Sequence, residues 1–249
     1  MAFNEDSRVK IPAILHLTQL GYTYLSLKNE TWDTDTNIFK DIFIEAMGRI
    51  NTKLASDDIN RLYQDINLAL ENEDLGKAFF EMLSNRSGVK LIDFEDFDNN
   101  SFHVVTELPY KNGEDVFRPD IITLINGMPL AFIEVKKPNN RDGIIAERNR
   151  MNTRFKNKQF RKFINLTQFM IFSNNMEYDP DEIEPWQGAF YASSSYNKLH
   201  FNYFREEIGF NPIEVLKPLD EEVEDFLLKD TNYQAIKNNI DYKTNKNPD

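Results

Sequence analysis

Two apolar, strand-like segments joined by an Asn-Gly turn constrain this chain more than any other feature. The first segment covers residues 121–125, the second covers 130–135, and Asn-Gly stands at 126–127. Asn-Gly between β-rich segments is the strongest short-range signal for a β-hairpin. When the chain folds back at this turn, Asp120 and Glu134 become spatial neighbours.

The length of the turn predicts the register of the hairpin. A three-residue connection over 126–128 pairs Ile125 with Pro129. Counting back from there, it also pairs Asp120 with Glu134, and directly paired residues share a face of the sheet. A connection of two or four residues would place the two carboxylates on opposite faces unless a β-bulge intervened. We expect the three-residue connection.

The hairpin ends carry a candidate metal-dependent hydrolytic site. The period of two places Glu134 and Lys136 on one side of the second strand. A buried carboxylate needs a cation, and carboxylate oxygens suit Mg²⁺, for which Mn²⁺ can substitute. We predict that Asp120, Glu134 and the backbone carbonyl of Val135 bind Mg²⁺. Lys136 would orient a water molecule and offset charge on the phosphorane, so the pattern predicts phosphodiester hydrolysis.

Charge is distributed unevenly along the chain. The net charge is −12, yet residues 136–162 contain ten Lys/Arg and only two acidic residues. We predict one basic helix over 143–162 beside the carboxylates, where a phosphate backbone would lie. The candidate DNA-binding residues are Lys137, Arg150, Arg154, Lys158 and Arg161. A solvated helix face is the alternative interpretation.

The composition excludes several other classes of protein. The chain has no Cys, which excludes disulfides, thiolate zinc sites and a Cys nucleophile. No P-loop pattern is present, so the chain should not hydrolyse ATP itself. No apolar run approaches the length of a membrane span, and the first residues lack the pattern of a signal peptide. We therefore expect a cytoplasmic protein without membrane contact.

Hydrophobic periodicity predicts an α/β fold. Before the basic helix, helices are expected at 5–20, 36–53, 57–71 and 74–84. Strands are expected at 89–94, 101–107, 117–125, 129–136, 168–173 and 188–193.

The same residues resemble a known nuclease family. Asp120 with Glu134-Val135-Lys136 resembles the PD-(D/E)xK motif, and residues 117–138 look like the N-terminal endonuclease region of the R (HsdR) subunit of Type I restriction enzymes. Further similar segments lie at 4–12, 20–22 and 169–175. The resemblance spans about residues 3–210.

This resemblance implies a restriction-endonuclease-like core, in which helices flank a central mixed β-sheet, preceded by an N-terminal helical block. We expect a helical region over 1–85 that packs on the core, the nuclease core over 86–212, and a C-terminal helix and linker over 213–249. The last part would lead toward a motor domain, absent from this chain, for which ATP would be the cofactor.

The resemblance also implies Mg²⁺-dependent cleavage of double-stranded DNA after ATP-driven translocation, in a complex with methyltransferase and specificity subunits. Relatives often complete the metal site with an acid from the first helix, for which Glu5 is the candidate. Many also carry a Gln-x-x-x-Tyr pair on the helix after the motif, and the best match here is Met151 and Phe155. Two alternatives remain open: a non-catalytic docking module for the methyltransferase core, and a free-standing PD-(D/E)xK repair nuclease.

Overall fold

A mixed seven-stranded sheet forms the centre of the fold. The computed structural model describes residues 5–112, 115–137, 143–174, 188–193, 200, 202–203, 216–231, 234–239 and 242–243. The strands are β1 Thr23–Tyr24, β2 Phe102–Thr106, β3 Tyr110–Asn112, β4 Asp115–Phe117, β5 Ile121–Ile125, β6 Met128–Val135, β7 Phe169–Ser173, β8 Ala189–Ala192 and β9 Asn202–Tyr203. The sheet order is β1-β2-β5-β6-β7-β8-β9, while β3 and β4 form a separate hairpin. Only β1/β2 and β6/β7 pair in parallel within these residues.

Helices flank this sheet, so the predicted α/β class is confirmed. They are α1 Ile11–Gln19, α2 Lys40–Ile50, α3 Ser56–Ala69, α4 Lys77–Leu83, α5 Gly143–Phe155, α6 Arg161–Leu166, α7 Glu221–Asp230 and α8 Gln234–Lys237. A π-helical segment, Asp6–Lys10, leads directly into α1. None of the helices in the described ranges is long and apolar enough to span a membrane.

The two faces of the sheet pack against different helices because side chains alternate along each strand. On one face, Ile122 and Phe132 are buried together with Phe163 of α6. On the other face, Ile121 is buried with Leu15 of α1 and with residues of α7. Both faces of the central strands are therefore covered, as the apolar sequence of β6 predicts.

Helices α2, α3 and α4 form a block that packs against the β5–β6 turn. Met47 and Ile66 from this block share a buried cluster with Met128 at the start of β6. The backbone N–H of Phe39 also donates to the Gly127 carbonyl at 2.9 Å. The helical block is thus fixed directly to the hairpin that carries the predicted site.

Helix α7 packs behind the end of β6. Leu227 and Leu228 are fully buried in the same cluster as Val135. Tyr242 is 1% exposed, and its hydroxyl donates to the buried carboxylate of Glu224. Part of the predicted linker region therefore contributes side chains to the core, whereas the division of the chain into three regions stays a prediction.

Two predicted elements differ from the structure. The strand predicted over 117–125 is interrupted, because Pro119 has no N–H with which to continue a ladder. The strand predicted over 89–94 is wrong: this segment is irregular. Its polar groups bond to side chains instead of a neighbouring strand, since Asn100 accepts from the backbone N–H of Asp93 and Asn126 donates to the carbonyl of Leu91.

The prediction of one helix over 143–162 is also wrong. Helix α5 ends at Phe155, a short 3₁₀ segment covers Lys158–Phe160, and α6 begins at Arg161. The side chain of Asn157 accepts a hydrogen bond from the backbone N–H of Gln159. Such local bonding by Asn competes with helix continuation, which explains the break.

Candidate functional site

The β5–β6 turn contains two residues, not the predicted three. Asn126 and Gly127 have φ values of 52° and 77°, as a type I′ turn requires at both central positions. Ile125 consequently pairs with Met128 rather than with Pro129. The predicted connection is therefore wrong, and this turn alone would place the two acids on opposite faces of the sheet.

A β-bulge compensates for the shorter turn. The register shifts between Thr123 and Leu124, which leaves Leu130 without a partner on β5. One additional residue returns every later side chain of β6 to the other face. Past the bulge, the next residue pair along the two strands is Asp120 and Glu134.

Asp120 is fixed by a hydrogen bond to the neighbouring strand. Its Oδ2 accepts from the backbone N–H of Val135 at 2.9 Å. Burial raises the pKa of Asp120, while this hydrogen bond and the charges of Lys136 and Lys10 oppose the rise. The carboxylate is thus held in one orientation beside the end of β6.

Glu134 presents a buried carboxylate oxygen that has no partner among the residues the structure describes. Its side chain is 8% exposed, and Oε1 accepts from Lys136 Nζ at 3.0 Å. The other oxygen, Oε2, accepts no hydrogen bond from the described residues. Burial and the nearby Asp120 raise the pKa of Glu134 to about 7. A divalent cation would satisfy this oxygen and offset the charge, so the residues fit the predicted metal.

The catalytic candidate Lys136 lies against the same group. Its Nζ donates to Glu134 Oε1 and to the carbonyl oxygen of Val135, both at 3.0 Å. Burial works against its charge, but Glu134 and Glu147 outweigh this effect and raise its pKa. Lys136 therefore remains an ammonium donor near neutral pH.

Glu147 of α5 belongs to the site, although our sequence prediction did not include it. The side chain is 2% exposed, and Oε2 lies 3.8 Å from Lys136 Nζ and 2.6 Å from Arg150 Nη1. The spacing of the residues could have revealed it, because Ile144, Glu147 and Met151 lie on one buried face of the helix. An acid on such a stripe indicates a buried, paired carboxylate.

Lys10 also reaches the site, and our sequence prediction missed it too. Its side chain is 4% exposed, its Nζ donates to Glu107 at 2.7 Å, and Asp120 Oδ1 lies 4.0 Å away. Glu107 has a φ of 55°, an unusual conformation for a residue with a Cβ. No local pattern predicts this contact, because it joins the π-helical segment to the loop after β2.

Glu5 lies near the predicted metal ligands. Burial raises its pKa, Lys136 lowers it, Asp120 raises it, and the backbone N–H of Lys137 donates to it. Within the described ranges, however, no three acidic, His or Cys residues form a group that could hold a metal. The structure therefore brings together two carboxylates and one carbonyl, and the role of Glu5 as a ligand stays a prediction.

Two of the predicted DNA-binding residues line a groove beside the site. Arg150 and Arg154 border a cavity of about 270 Å³, together with Asp115 and Val116 of β4. The Arg150 side chain is 61% exposed. The guanidinium of Arg154 lies 3.9 Å from the centre of the Phe117 ring, in a cation–π contact. These cations therefore form a basic surface next to the carboxylates.

The other predicted DNA-binding residues lie elsewhere. Lys158 and Arg161 follow the break after α5, and both pair with Glu73 near the helical block, at 3.4 and 2.5 Å. They do not continue the surface formed by Arg150 and Arg154, because the predicted continuous basic helix ends at Phe155. Lys137 is exposed directly after the motif.

The proposed counterparts of the relatives' Gln-x-x-x-Tyr pair pack into the core. Met151 is fully buried, and Phe155 packs against the same cluster. These residues contribute apolar contacts between α5 and the sheet.

Glu134→Gln is expected to make the metal-free protein less sensitive to pH. The pKa of Glu134 is raised from 4.5 to about 7. The folded state therefore binds this proton more tightly than the unfolded state, and stability falls as pH rises from about 4.5 to about 7. The part of this loss that comes from Glu134 should be roughly 1–3 kcal/mol in wild type, and the variant should lack that part. Urea unfolding at pH 5 and pH 8 with EDTA measures it.

A matched control is Glu81→Gln, which changes an exposed residue of α4. It should retain the wild-type pH dependence. The same loss of stability in wild type and in Glu134→Gln would contradict the raised pKa.

Comparison with known proteins identifies the family of the chain. The family model described as Type I restriction enzyme R protein N terminus matches residues 2–179. A protein of Methanocaldococcus jannaschii named as a Type I restriction enzyme MjaIXP endonuclease subunit is 30% identical over 219 residues, covering 75% of this chain and 21% of that protein. The HindI endonuclease subunit of Haemophilus influenzae is 43% identical over 51 residues, covering 20% of this chain and 5% of that protein.

The chain thus spans about a fifth of the length of the first of these relatives. The family match covers well over half of the chain, and it includes Asp120, Glu134 and Lys136. The chain belongs to the family of Type I restriction enzyme R protein N termini.

Proposed function

We propose that this chain is the metal-dependent endonuclease domain of a Type I restriction R subunit and hydrolyses phosphodiester bonds in double-stranded DNA. The observation that carries the proposal is the pair Asp120 and Glu134 on adjacent strands, with Lys136 beside them. One buried oxygen of Glu134 has no partner among the described residues. Two hard carboxylate oxygens and a carbonyl favour Mg²⁺, with Mn²⁺ as its substitute. These ligands would be Asp120, Glu134 and the carbonyl of Val135.

Asp120 and Lys136 have different roles in the proposed hydrolysis. A bound Mg²⁺ would polarise the phosphate and lower the pKa of a coordinated water molecule. Asp120 is held in place by the Val135 N–H, so its other oxygen, Oδ1, is already oriented. Lys136 keeps its proton, because its pKa is raised, and it therefore acts as a donor to the water and to the charged phosphate oxygens rather than as a base.

Arg150 and Arg154 would contact the backbone of the bound DNA. They border the groove between α5 and β4, and Arg150 pairs with Glu147 of the site. Contacts to phosphate position a duplex without reading its sequence. Selection of the DNA target and ATP-driven translocation would therefore belong to other parts of the R subunit and to methyltransferase and specificity subunits.

Nicking of a supercoiled plasmid by the purified chain tests this function. We expect open-circular DNA to appear with Mg²⁺ or Mn²⁺ and none to appear with EDTA. Calorimetric titration with Mn²⁺ should detect one weak site without DNA, since Mg²⁺-type sites usually share their ligands with substrate phosphate. Cleavage that is unaffected by EDTA would contradict the proposal. Tight Zn²⁺ binding at a site containing His would contradict it as well.

Neutral substitutions of the cations should separate the two basic surfaces. Arg150→Gln and Arg154→Gln are expected to weaken binding to any duplex. Each lost phosphate contact should reduce the magnitude of the slope of log affinity against log salt by roughly 0.9. Lys158→Gln and Arg161→Gln are the matched controls, because both cations already pair with Glu73. Binding is measured in Ca²⁺ by fluorescence anisotropy, and equal effects of the two pairs would contradict the assignment.

A further inference from the structure

The Lys136 ammonium contacts two of the groups that the proposed function assigns to a divalent cation. Its Nζ lies 3.0 Å from Glu134 Oε1 and 3.0 Å from the Val135 carbonyl oxygen. A cation such as Mg²⁺ binds oxygen at about 2.1 Å. A cation bound to Glu134 and to the Val135 carbonyl would lie close to the Lys136 ammonium, and the repulsion between the two positive charges favours a displacement of Lys136.

Glu147 is the other carboxylate within reach of Lys136. In the part of the chain that the structure describes, only Glu134 and Glu147 have a carboxylate oxygen within 4.0 Å of its Nζ. The Glu147 oxygen is 3.8 Å away, and this same Oε2 also accepts from Arg150. A small displacement of Lys136 away from β6 would therefore bring it into direct contact with a second anion.

Glu147 is more deeply buried than an ordinary ion pair on a helix surface requires. Its side chain is 2% exposed, whereas that of its partner Arg150 is 61% exposed. An exposed pair three residues apart contributes little to stability and needs no buried carboxylate. A buried carboxylate is costly unless cations surround it. Lys136 on one side and Arg150 on the other supply those cations, which places the Glu147 charge at the edge of the site.

We propose that Glu147 is a positioning residue that accepts the Lys136 ammonium when a divalent cation binds Asp120 and Glu134. This inference rests on the proposed function. In this arrangement Glu147 removes Lys136 from the metal ligands and keeps it beside the scissile phosphate. Without Glu147, Glu134 is the one carboxylate among the described residues within 4.0 Å of the lysine, which then competes with the cation for it.

Calorimetric titration of the chain with Mn²⁺ tests the proposal without relying on cleavage. Glu147→Gln keeps the shape of the side chain and removes its charge. We expect Mn²⁺ affinity to fall roughly tenfold, the size of effect that one charge at this distance has on an equilibrium. In the double variant Glu147→Gln with Lys136→Met, the competing ammonium is gone, so affinity should return to the wild-type value.

A second double variant separates this effect from general electrostatics. Glu147→Gln with Arg150→Met has the same net charge as Glu147→Gln with Lys136→Met. Because Arg150 does not contact the metal ligands, we expect Mn²⁺ affinity to stay low in this variant. Restoration of affinity in both double variants, or wild-type affinity in Glu147→Gln alone, would overturn the proposal.

Two further variants separate positioning from folding. Ile144→Ala removes a buried side chain from the same helix and should lower the Tm while leaving Mn²⁺ affinity unchanged. Glu147→Asp keeps the charge and should bind Mn²⁺ within a fewfold of wild type. A tenfold loss in either variant would assign the effect to helix packing and overturn the inference.

A wrong proposed function would give a different result in the Mn²⁺ titrations. Asp120→Asn and Glu134→Gln would then bind Mn²⁺ as wild type does, whatever the result for Glu147. If these two variants lose Mn²⁺ binding and Glu147→Gln does not, the metal site stands and only the positioning role is lost.

Discussion

Glu134→Gln is expected to abolish DNA cleavage in an R subunit containing this chain, with a fall of roughly a thousandfold or more. The substitution keeps the shape of the side chain and removes the charge that would hold the cation. Asp120→Asn and Lys136→Met should reduce cleavage to a similar extent, because the three groups converge on one reacting phosphate. Linearisation of plasmid DNA carrying a recognition site measures the loss.

Lys136→Arg should also abolish DNA cleavage. A planar guanidinium cannot place a compact positive charge at the position of the Lys136 ammonium, between Glu134 and the Val135 carbonyl. ATP hydrolysis and translocation by the same subunit are the internal controls, and we expect both to continue. Normal cleavage by Glu134→Gln would overturn the catalytic assignment, and loss of ATP hydrolysis in all these variants would indicate a structural role.

Gly127→Ala is expected to destabilise the chain by about 3 kcal/mol. Gly127 has a φ of +77°, and a Cβ there would lie 2.6 Å from the Phe39 carbonyl oxygen and 2.9 Å from the Phe43 nitrogen. Both neighbours are backbone atoms of the helical block, so neither can rotate away. The left-handed conformation costs roughly 1–2 kcal/mol with a side chain, and overpacking adds about 1–3 kcal/mol. Urea unfolding measures the sum.

Gly88→Ala is a matched control for this substitution. Gly88 has a φ of +79°, and a Cβ there would meet no atom within 4 Å. It should therefore show the conformational cost alone. Equal destabilisation by the two substitutions would mean that the contact between the turn and the helical block is unimportant. A larger loss at Gly127 would show that the block holds the hairpin in its register.

The central part of the site was predictable because it is local in the sequence. Strands β5 and β6 are adjacent in the chain and form a hairpin, so apolar alternation and the Asn-Gly turn sufficed to bring Asp120 and Glu134 together. The same alternation placed Lys136 on the side of Glu134, and the structure agrees. The turn itself was predicted one residue too long, since a bulge leaves no distinct signal in an apolar strand.

The remainder of the site depends on contacts between distant parts of the chain. Lys10 meets Glu107 across a separation of 97 residues, and no periodic pattern reports such a contact. Glu147 could have been found from its position on the apolar face of the helix. We counted it only as one acid among the many cations of the segment. Arg161 was misplaced because a side-chain bond of Asn157 ended the preceding helix, which overrode the continuous basic pattern.

In this hairpin the β-bulge compensates for the short turn, and the spacing between Asp120 and Glu134 reflects both. Thirteen residues separate Asp120 from Glu134, and this odd number fixes the parity that puts both side chains on one face. A two-residue turn with one bulge and a three-residue turn without a bulge give the same count. The spacing of the motif therefore depends on turn length and bulge together. It does not show which of the two a given hairpin has. A single insertion in this hairpin would separate the acids unless a second irregularity arose with it.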